Sequence, residues 1–269
     1  MSDIALFDMD ETLTPARGKI SDETISHLMK LSRYADIGII SGSDFGMIKS
    51  QVLDRLSDKS LLRKIHVFPC NGTKVFSFND TSYDLKYEVD MMQAVGYDKF
   101  FTIYSFLISQ QSLICSDNLD LKIKGDFITN RGSMINYCIP GRGSSPSDRD
   151  LFQYLDRTRS IRKKIFSRLK TFMTFNEELG LDASLGGQTS IDIHPTGWDK
   201  SYVIRHLTKY DRITFVGDKC EQFGNDKPLF DIRDEMENFL GLKTVSPENT
   251  CDIILEKLIP ILGIPGGGL

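Results

Sequence analysis

Asp8 and Asp10 stand one residue apart directly after the apolar run Ile4-Ala5-Leu6-Phe7, and Thr12 follows two residues later. Two carboxylates emerging together attract a divalent cation, and magnesium is the usual partner where phosphate is handled. A carboxylate is also a nucleophile that can become an aspartyl phosphate. Asp-x-Asp alone is more often a solvated turn or a helix cap, so the reading depends on what converges with it. Phosphoryl transfer needs an in-line nucleophile, a proton donor for the leaving oxygen and positive charge around the transferring group. Ser41 and Ser43, in Ser41-Gly42-Ser43-Asp44, would hydrogen-bond phosphoryl oxygens, or else only cap the helix that follows. Lys200 would neutralise charge on nucleophile and phosphate, although most lysines lie on the surface. Asp218, in Gly217-Asp218-Lys219, would complete a metal shell or merely mark a turn. Asn225-Asp226 would add a water-mediated ligand or orient one.

These residues need strand ends to bring them together. Ile4 to Phe7, Ile37 to Ile40 and Ile213 to Val216 are short apolar runs that read as buried strands. Each ends at one of the candidate residues, and the C-terminal edge of a parallel sheet is where open α/β folds bind ligands. Ser21-Asp22-Glu23 signals a helix start, with Ile25, Leu28 and Met29 on one face. Phe45, Ile48, Val52 and Leu56 repeat at helical spacing, and Val67 to Cys70 runs into Asn71-Gly72, a hairpin signal. Lys200 opens a helix carrying Val203, Ile204 and Leu207. The α/β alternation stops near residue 86 and resumes near Trp198. The expected architecture is a core built from residues 1–85 and 195–269, with a mixed α+β domain inserted at 86–194.

Within the insert, Met134 to Cys138 and Ser190 to His194 read as strands. In the second, Ser190, Asp192 and His194 share one face and Ile191 and Ile193 the other. A polar face is more often solvent-washed than a site, and solvent is the default expectation here. The net charge of −4 is unevenly spread, with twelve Lys and Arg against five Asp over residues 120–170. This basic segment suits an anion, although Arg157 to Lys164 also reads as the wet face of a helix. Aromatics are not interleaved with the basic run and no nucleic-acid motif appears, which argues against nucleic acid. No apolar stretch approaches a membrane span. The chain opens on Met1-Ser2-Asp3 and enters the strand at once, so no signal peptide is expected. Five scattered cysteines without a Cys-x-x-Cys pair fit reduced thiols in the cytoplasm. Asn71-Gly72-Thr73 is a glycosylation sequon by pattern only, and Gly263 to Leu269 reads as a frayed tail.

The order of these motifs resembles the haloacid dehalogenase superfamily of phosphotransferases, and within it the eukaryotic-type phosphomannomutases. Phe7-Asp8-Met9-Asp10-Glu11-Thr12-Leu13-Thr14-Pro15-Ala16-Arg17 is similar to that family's opening. Ser41-Gly42-Ser43-Asp44-Phe45 is similar to its second motif. Asn130 to Asn136, Pro140-Gly141-Arg142 and Asp148-Arg149 resemble its substrate-binding segments, and Gly186 to Ile193 resembles its sugar-contacting strand. Pro195 to Lys200 and Gly217-Asp218-Lys219 with Gly224-Asn225-Asp226 resemble the motifs supplying lysine and metal ligands. The likeness spans nearly the whole chain, with residues 86–120 least matched. Three departures stand out: Glu11 and Ser41 where the family usually has Gly, and Gln222-Phe223-Gly224 where it has Pro-Gly-Gly.

The resemblance implies a Rossmann-type core with a parallel sheet and an α+β cap. It implies Asp8 as nucleophile, Asp10 as general acid/base, and Ser41, Ser43 and Lys200 in the catalytic set. Magnesium falls to Asp8, Asp10, Asp218, Asn225 and Asp226. Arg17, Arg131, Arg142 and Arg149 would bind substrate phosphate, for which the guanidinium fork is suited, and Ser190 and Asp192 would bind sugar hydroxyls. Arg149, between Asp148 and Asp150, is equally placed for a surface salt bridge. The implied reaction interconverts mannose 6-phosphate and mannose 1-phosphate through a hexose 1,6-bisphosphate activator. Domain closure would exclude water, and the molecule would be a homodimer joined through the cap. The alternatives are a sugar-phosphate phosphatase on the same chemistry and an inactive sugar-phosphate-binding protein.

Overall fold

The computed structural model describes residues 2–117 and 121–264, and the remainder of the expected tail, residues 265–269, lies outside them. The chain forms two compact units, residues 1–88 with 198–269 and residues 89–197. Both crossings therefore fall three residues later than the sequence pattern suggested, because β5 runs on through Glu88 and the return passes Thr196-Gly197 before the core resumes at Trp198.

The first unit is built on a seven-stranded sheet. Its strands are β1 (Asp3–Asp8), β2 (Asp36–Ile40), β3 (Ile65–Phe68), β4 (Lys74–Phe78), β5 (Tyr83–Glu88), β10 (Arg212–Gly217) and β11 (Phe239–Lys243), in the order β11-β10-β1-β2-β3-β4-β5. The five from β11 to β3 are parallel, and β4 and β5 return antiparallel at one edge. β1 is central and buried throughout. Burying a side chain such as Phe7 contributes about 2–3 kcal/mol. Apolar layers cover both faces: Phe7, Leu28, Ile39 and Ile48 belong to one, Leu6, Val203, Leu207 and Phe215 to the other. β2 and β10 flank β1 with Phe7 opposite Ile39 and Val216. The ends of β1 and β10 thus lie side by side at the carboxyl edge, the position the sequence reading gave to Asp8 and Asp218.

The second unit carries a four-stranded antiparallel sheet of β6 (Ile128–Asn130), β7 (Ile135–Cys138), β8 (Leu181–Gly186) and β9 (Ser190–Pro195), in the order β6-β7-β9-β8. Helices Tyr97–Asp117 and Ile161–Phe175 pack on it. The Tyr137 hydroxyl donates to Gln111 at 2.7 Å, and Phe106 stacks on Phe172 across the helix pair at 4.3 Å. Within the least legible part of the sequence, residues 86–120, the described residues 86–117 form the end of β5, a short helix and a long one.

Local signals held where they were strong. Ser21 caps the first helix by accepting from the Thr24 amide at 3.0 Å. Asn71 and Gly72 turn the chain between β3 and β4, but in a three-residue left-handed turn beginning at Cys70. The segment from Lys200 to His206 is a 3-10 helix rather than an α-helix, with Asp199 at its N-terminus accepting from the Ser201 amide at 2.9 Å.

Candidate active site

β1 delivers Asp8 to the carboxyl edge of the sheet with its carboxylate almost fully buried. The Lys200 ammonium, 0% exposed, donates to both Asp8 and Asp226. Gly217 makes room for this arrangement: a Cβ there would come within 2.8 Å of the Asp226 carboxyl carbon. The other Asp226 oxygen accepts the Lys219 backbone N–H at 2.9 Å, and the Lys219 ammonium pairs with Asp218 at 2.5 Å. Carboxylate oxygens of Asp8, Asp218 and Asp226 all lie within 4.8 Å of one another.

Burial dominates the electrostatics. It pushes Asp8 up to about 8, because the pull of Lys200 is offset by Asp226 and Asp218. Burial also opposes ionisation of Asp226, but Lys200 and the Lys219 amide hold it below the ordinary carboxylate value. Burial works against the Lys200 charge as well, and the two carboxylates overcome it. The single ammonium is therefore shared by two acids, and Asp8 remains under-neutralised. The Asp218 Oδ1 and Asn225 Oδ1 atoms are buried without a hydrogen-bond partner among the described residues. Orphaned buried oxygens beside crowded carboxylates are the donor set a hard cation takes.

The five side chains read as metal ligands do not sit alike. Asp8, Asp218 and Asp226 converge, and Asn225 contributes an orphaned oxygen. The Asp10 carboxylate lies outside that cluster and accepts the Arg17 backbone N–H at 2.8 Å. The Arg17 side chain is exposed and forms no ion pair among the described residues. Ser41 and Ser43 do not cap the following helix, since Asp44 does so by accepting from the Met47 amide at 2.9 Å. Ser41 is buried and its hydroxyl accepts the Ser43 N–H at 3.0 Å, which holds the loop beside β2.

In the second unit, Asp192 pairs across β9 and β7 with Asn136, which donates to its carboxylate. Arg142 donates in turn to the Asn136 side-chain oxygen. The Ser190 hydroxyl donates to the Gly186 carbonyl at 2.9 Å. The polar face of β9 is buried, not solvent-washed: Ser190 and Asp192 are 8% and 6% exposed. Arg149 does not pair with Asp148, which is taken by Lys124 at 2.7 Å; its Nε donates to the Ser144 carbonyl at 3.1 Å. Arg131 lies in the β6–β7 turn, where its backbone N–H donates to Met134.

A profile of eukaryotic phosphomannomutases matches residues 24–260. This chain belongs to that family. It is 34% identical to the phosphomannomutase of Saccharomyces cerevisiae over 259 residues, covering 94% of this chain and 93% of the relative. Phosphomannomutase 1 of Dictyostelium discoideum is 34% identical over 256 residues, covering 94% and 95%. The family consists of enzymes of the isomerase class. Among solved structures, the fold is similar to an IMP-nucleotidase of Plasmodium falciparum (TM-score 0.64, 17% identity, 97% of this chain and 71% of that one). It is also similar to a trehalose-6-phosphate phosphatase related protein (TM-score 0.53, 16% identity, 97% and 98%). Both likenesses show a shared fold.

The departures from the family pattern become intelligible against this site. Glu11 has a φ of 64° and Phe223 a φ of 71°, the left-handed region in which glycine is unstrained. The Glu11 carboxylate accepts the Ala16 N–H at 2.9 Å and so is tied within its own turn. Cys220 is buried and its thiol pushed up to about 12, which keeps it in the unreactive protonated form. The sequence reading assigned no role to Asn136 or Lys219. The strand period pointed to Asn136, which shares a face of β7 with Cys138; nothing local pointed to Lys219.

Proposed function

We propose that this protein interconverts mannose 6-phosphate and mannose 1-phosphate by phosphoryl transfer through Asp8. The observation that carries the reading is the buried Lys200 ammonium held between Asp8 and Asp226, beside Asp218. An Asp8 oxygen attacks one phosphorus of a hexose 1,6-bisphosphate, the bond from phosphorus to the sugar oxygen breaks, and Asp10 gives that oxygen its proton. In the return step a hydroxyl of the monophosphate loses its proton to Asp10 and attacks the phosphorus, and the Asp8 oxygen leaves. Lys200 balances charge on Asp8 in both directions, and Ser41 and Ser43 hydrogen-bond the transferring group.

The orphaned oxygens of Asp218 and Asn225, with Asp8, fit magnesium. Asp10 joins that ligand set in this reading, and Asp226, which borders it, chiefly anchors Lys200. Bound there, the ion supplies positive charge to the phosphoryl oxygens. Arg17, Arg131, Arg142 and Arg149 bind the phosphate of the sugar, and Ser190 and Asp192 its hydroxyls. The protein is a homodimer through its inserted unit, where Tyr97, Phe101 and Ile108 expose one apolar face of a helix. A cytoplasmic location agrees with its five scattered cysteines, and no described helix is long and apolar enough to cross a membrane.

The test is incubation with magnesium, mannose 1-phosphate and a trace of hexose 1,6-bisphosphate, with mannose 6-phosphate and free phosphate followed together. Mannose 6-phosphate forming much faster than phosphate is the expected result. Dominant phosphate release would make the protein a phosphatase, and neither product would leave a binding protein.

A further inference from the structure

Lys200 is useful only if its ammonium stays between Asp8 and Asp226, yet it sits at the start of a short 3-10 helix. Such helices have poor hydrogen-bond geometry and little stability of their own. The helix is held from outside. Gly72 approaches so closely that a Cβ on it would lie 3.0 Å from Val203 Cα, and the Gly72 carbonyl is 2.9 Å from His206 Nε2. The Tyr202 hydroxyl meets the Tyr87 hydroxyl of β5 at 2.7 Å. The His206 ring packs edge-on against Tyr87 at 4.7 Å and lies 6.0 Å from Tyr202.

The same left-handed turn reaches the serine loop. The Cys70 amide donates to the Ser43 carbonyl and the Asn71 amide to the Ser41 carbonyl, each at 2.9 Å. One turn, Cys70 to Gly72, is therefore bonded to the Ser41–Ser43 loop on one side and to the Lys200 helix on the other. Tyr87 and Tyr202 also lie next to the two places where the chain leaves and re-enters the first unit, after Glu88 and before Trp198.

We propose that Tyr87, Tyr202 and His206 form a positioning clamp that fixes the Lys200 ammonium on Asp8 and in register with the Ser41–Ser43 loop. None of the three touches the reacting atoms. They act on the transfer step through Lys200, and the proposal rests on the phosphoryl-transfer reading of this site. Loss of the clamp lowers kcat and leaves sugar-phosphate binding nearly unchanged, because the binding side chains are elsewhere.

The test compares Tyr87→Phe, Tyr202→Phe and the double variant, each deleting a hydroxyl and keeping the ring. Each single change is expected to lower kcat about tenfold with KM within about twofold, the scale on which small displacements act. The double variant is expected to lose no more than either single, since one hydrogen bond is removed in all three. His206→Gln, which keeps a donor for Gly72, should retain more turnover than His206→Leu. A crystal structure of Tyr87→Phe is expected to show Lys200 Nζ displaced from Asp8. Singles within twofold of the parent kcat, or Lys200 unmoved in that structure, would overturn the clamp. If the parent protein releases phosphate without isomerisation, the mutase reading fails while the same kcat comparison on phosphate release still tests the clamp. If it turns over neither way, the position of Lys200 decides.

Discussion

Lys200 and Asp226 are both fully buried and ion-paired, and Asp226 is in turn held by the Lys219 backbone N–H. Breaking a buried pair by removing one partner leaves an uncompensated charge in a medium that solvates it poorly. Lys200→Met, which leaves the Asp8 and Asp226 carboxylates without their shared cation, should therefore destabilise the protein by about 3–5 kcal/mol, read as a lower midpoint in urea at unchanged slope. A loss below about 1 kcal/mol would mean that the two carboxylates take up protons instead of staying charged.

Asp8→Asn keeps the shape of the side chain and removes the nucleophile. Phosphoenzyme formation, followed with labelled hexose bisphosphate, should disappear, and turnover should fall by at least about a thousandfold. Full activity in this variant would exclude Asp8 as the attacking group.

Arg142 reaches Asp192 through Asn136, so the three side chains behave as one network. Arg142→Ala should raise the KM for the sugar monophosphate about tenfold with a smaller change in kcat. Asn136→Ala should produce much of the same effect, and the double variant should be less than additive. Independent, additive effects on KM would show that the network does not act as a unit.

Phe223 is 61% exposed in a left-handed conformation, which favours glycine. Phe223→Gly relieves backbone strain and adds freedom to the unfolded chain, two effects of opposite sign. The strain is the larger, and a net gain of about 0.5–1 kcal/mol is expected in thermal unfolding. A loss of stability would mean that the Phe223 ring contributes more than its backbone costs.

Asp36 anchors the start of β2. Burial raises its carboxyl, but His66, Lys64 and Tyr210 more than reverse this and hold it well below the ordinary 3.8. The Lys64 ammonium and the Tyr210 hydroxyl are each 2.9 Å from it. A carboxyl depressed in the folded state contributes stability that is fully present above the unfolded value and lost as pH falls through the folded one. Asp36→Asn should thus lower stability near neutral pH and flatten the acid limb below pH 3.8. An acid limb identical to the parent would place the sensitivity in other carboxylates.

The sequence alone determined the parts whose cause is local. The apolar runs before Asp8 and Asp218 were legible because a strand buried on both faces needs a continuous apolar stretch. Ser21 as a helix cap follows from the side chain itself, and the Asp8 to Thr12 spacing was enough to suggest phosphate chemistry. The Lys200 assignment came from motif resemblance, since no spacing relates it to a partner 192 residues away. Tertiary structure decided the rest. It made Asp44 the helix cap and freed Ser41 for the loop, gave Asp226 both Lys200 and the Lys219 amide, and turned Asp10 toward Arg17. It buried the polar face of β9, a pattern that reads identically in sequence whether it faces water or protein. It also fixed Glu11 and Phe223 at positive φ, which their residue types disfavour and the surrounding turns impose. These outcomes depend on which distant groups compete for one donor, acceptor or volume, and only the folded chain brings the competitors together.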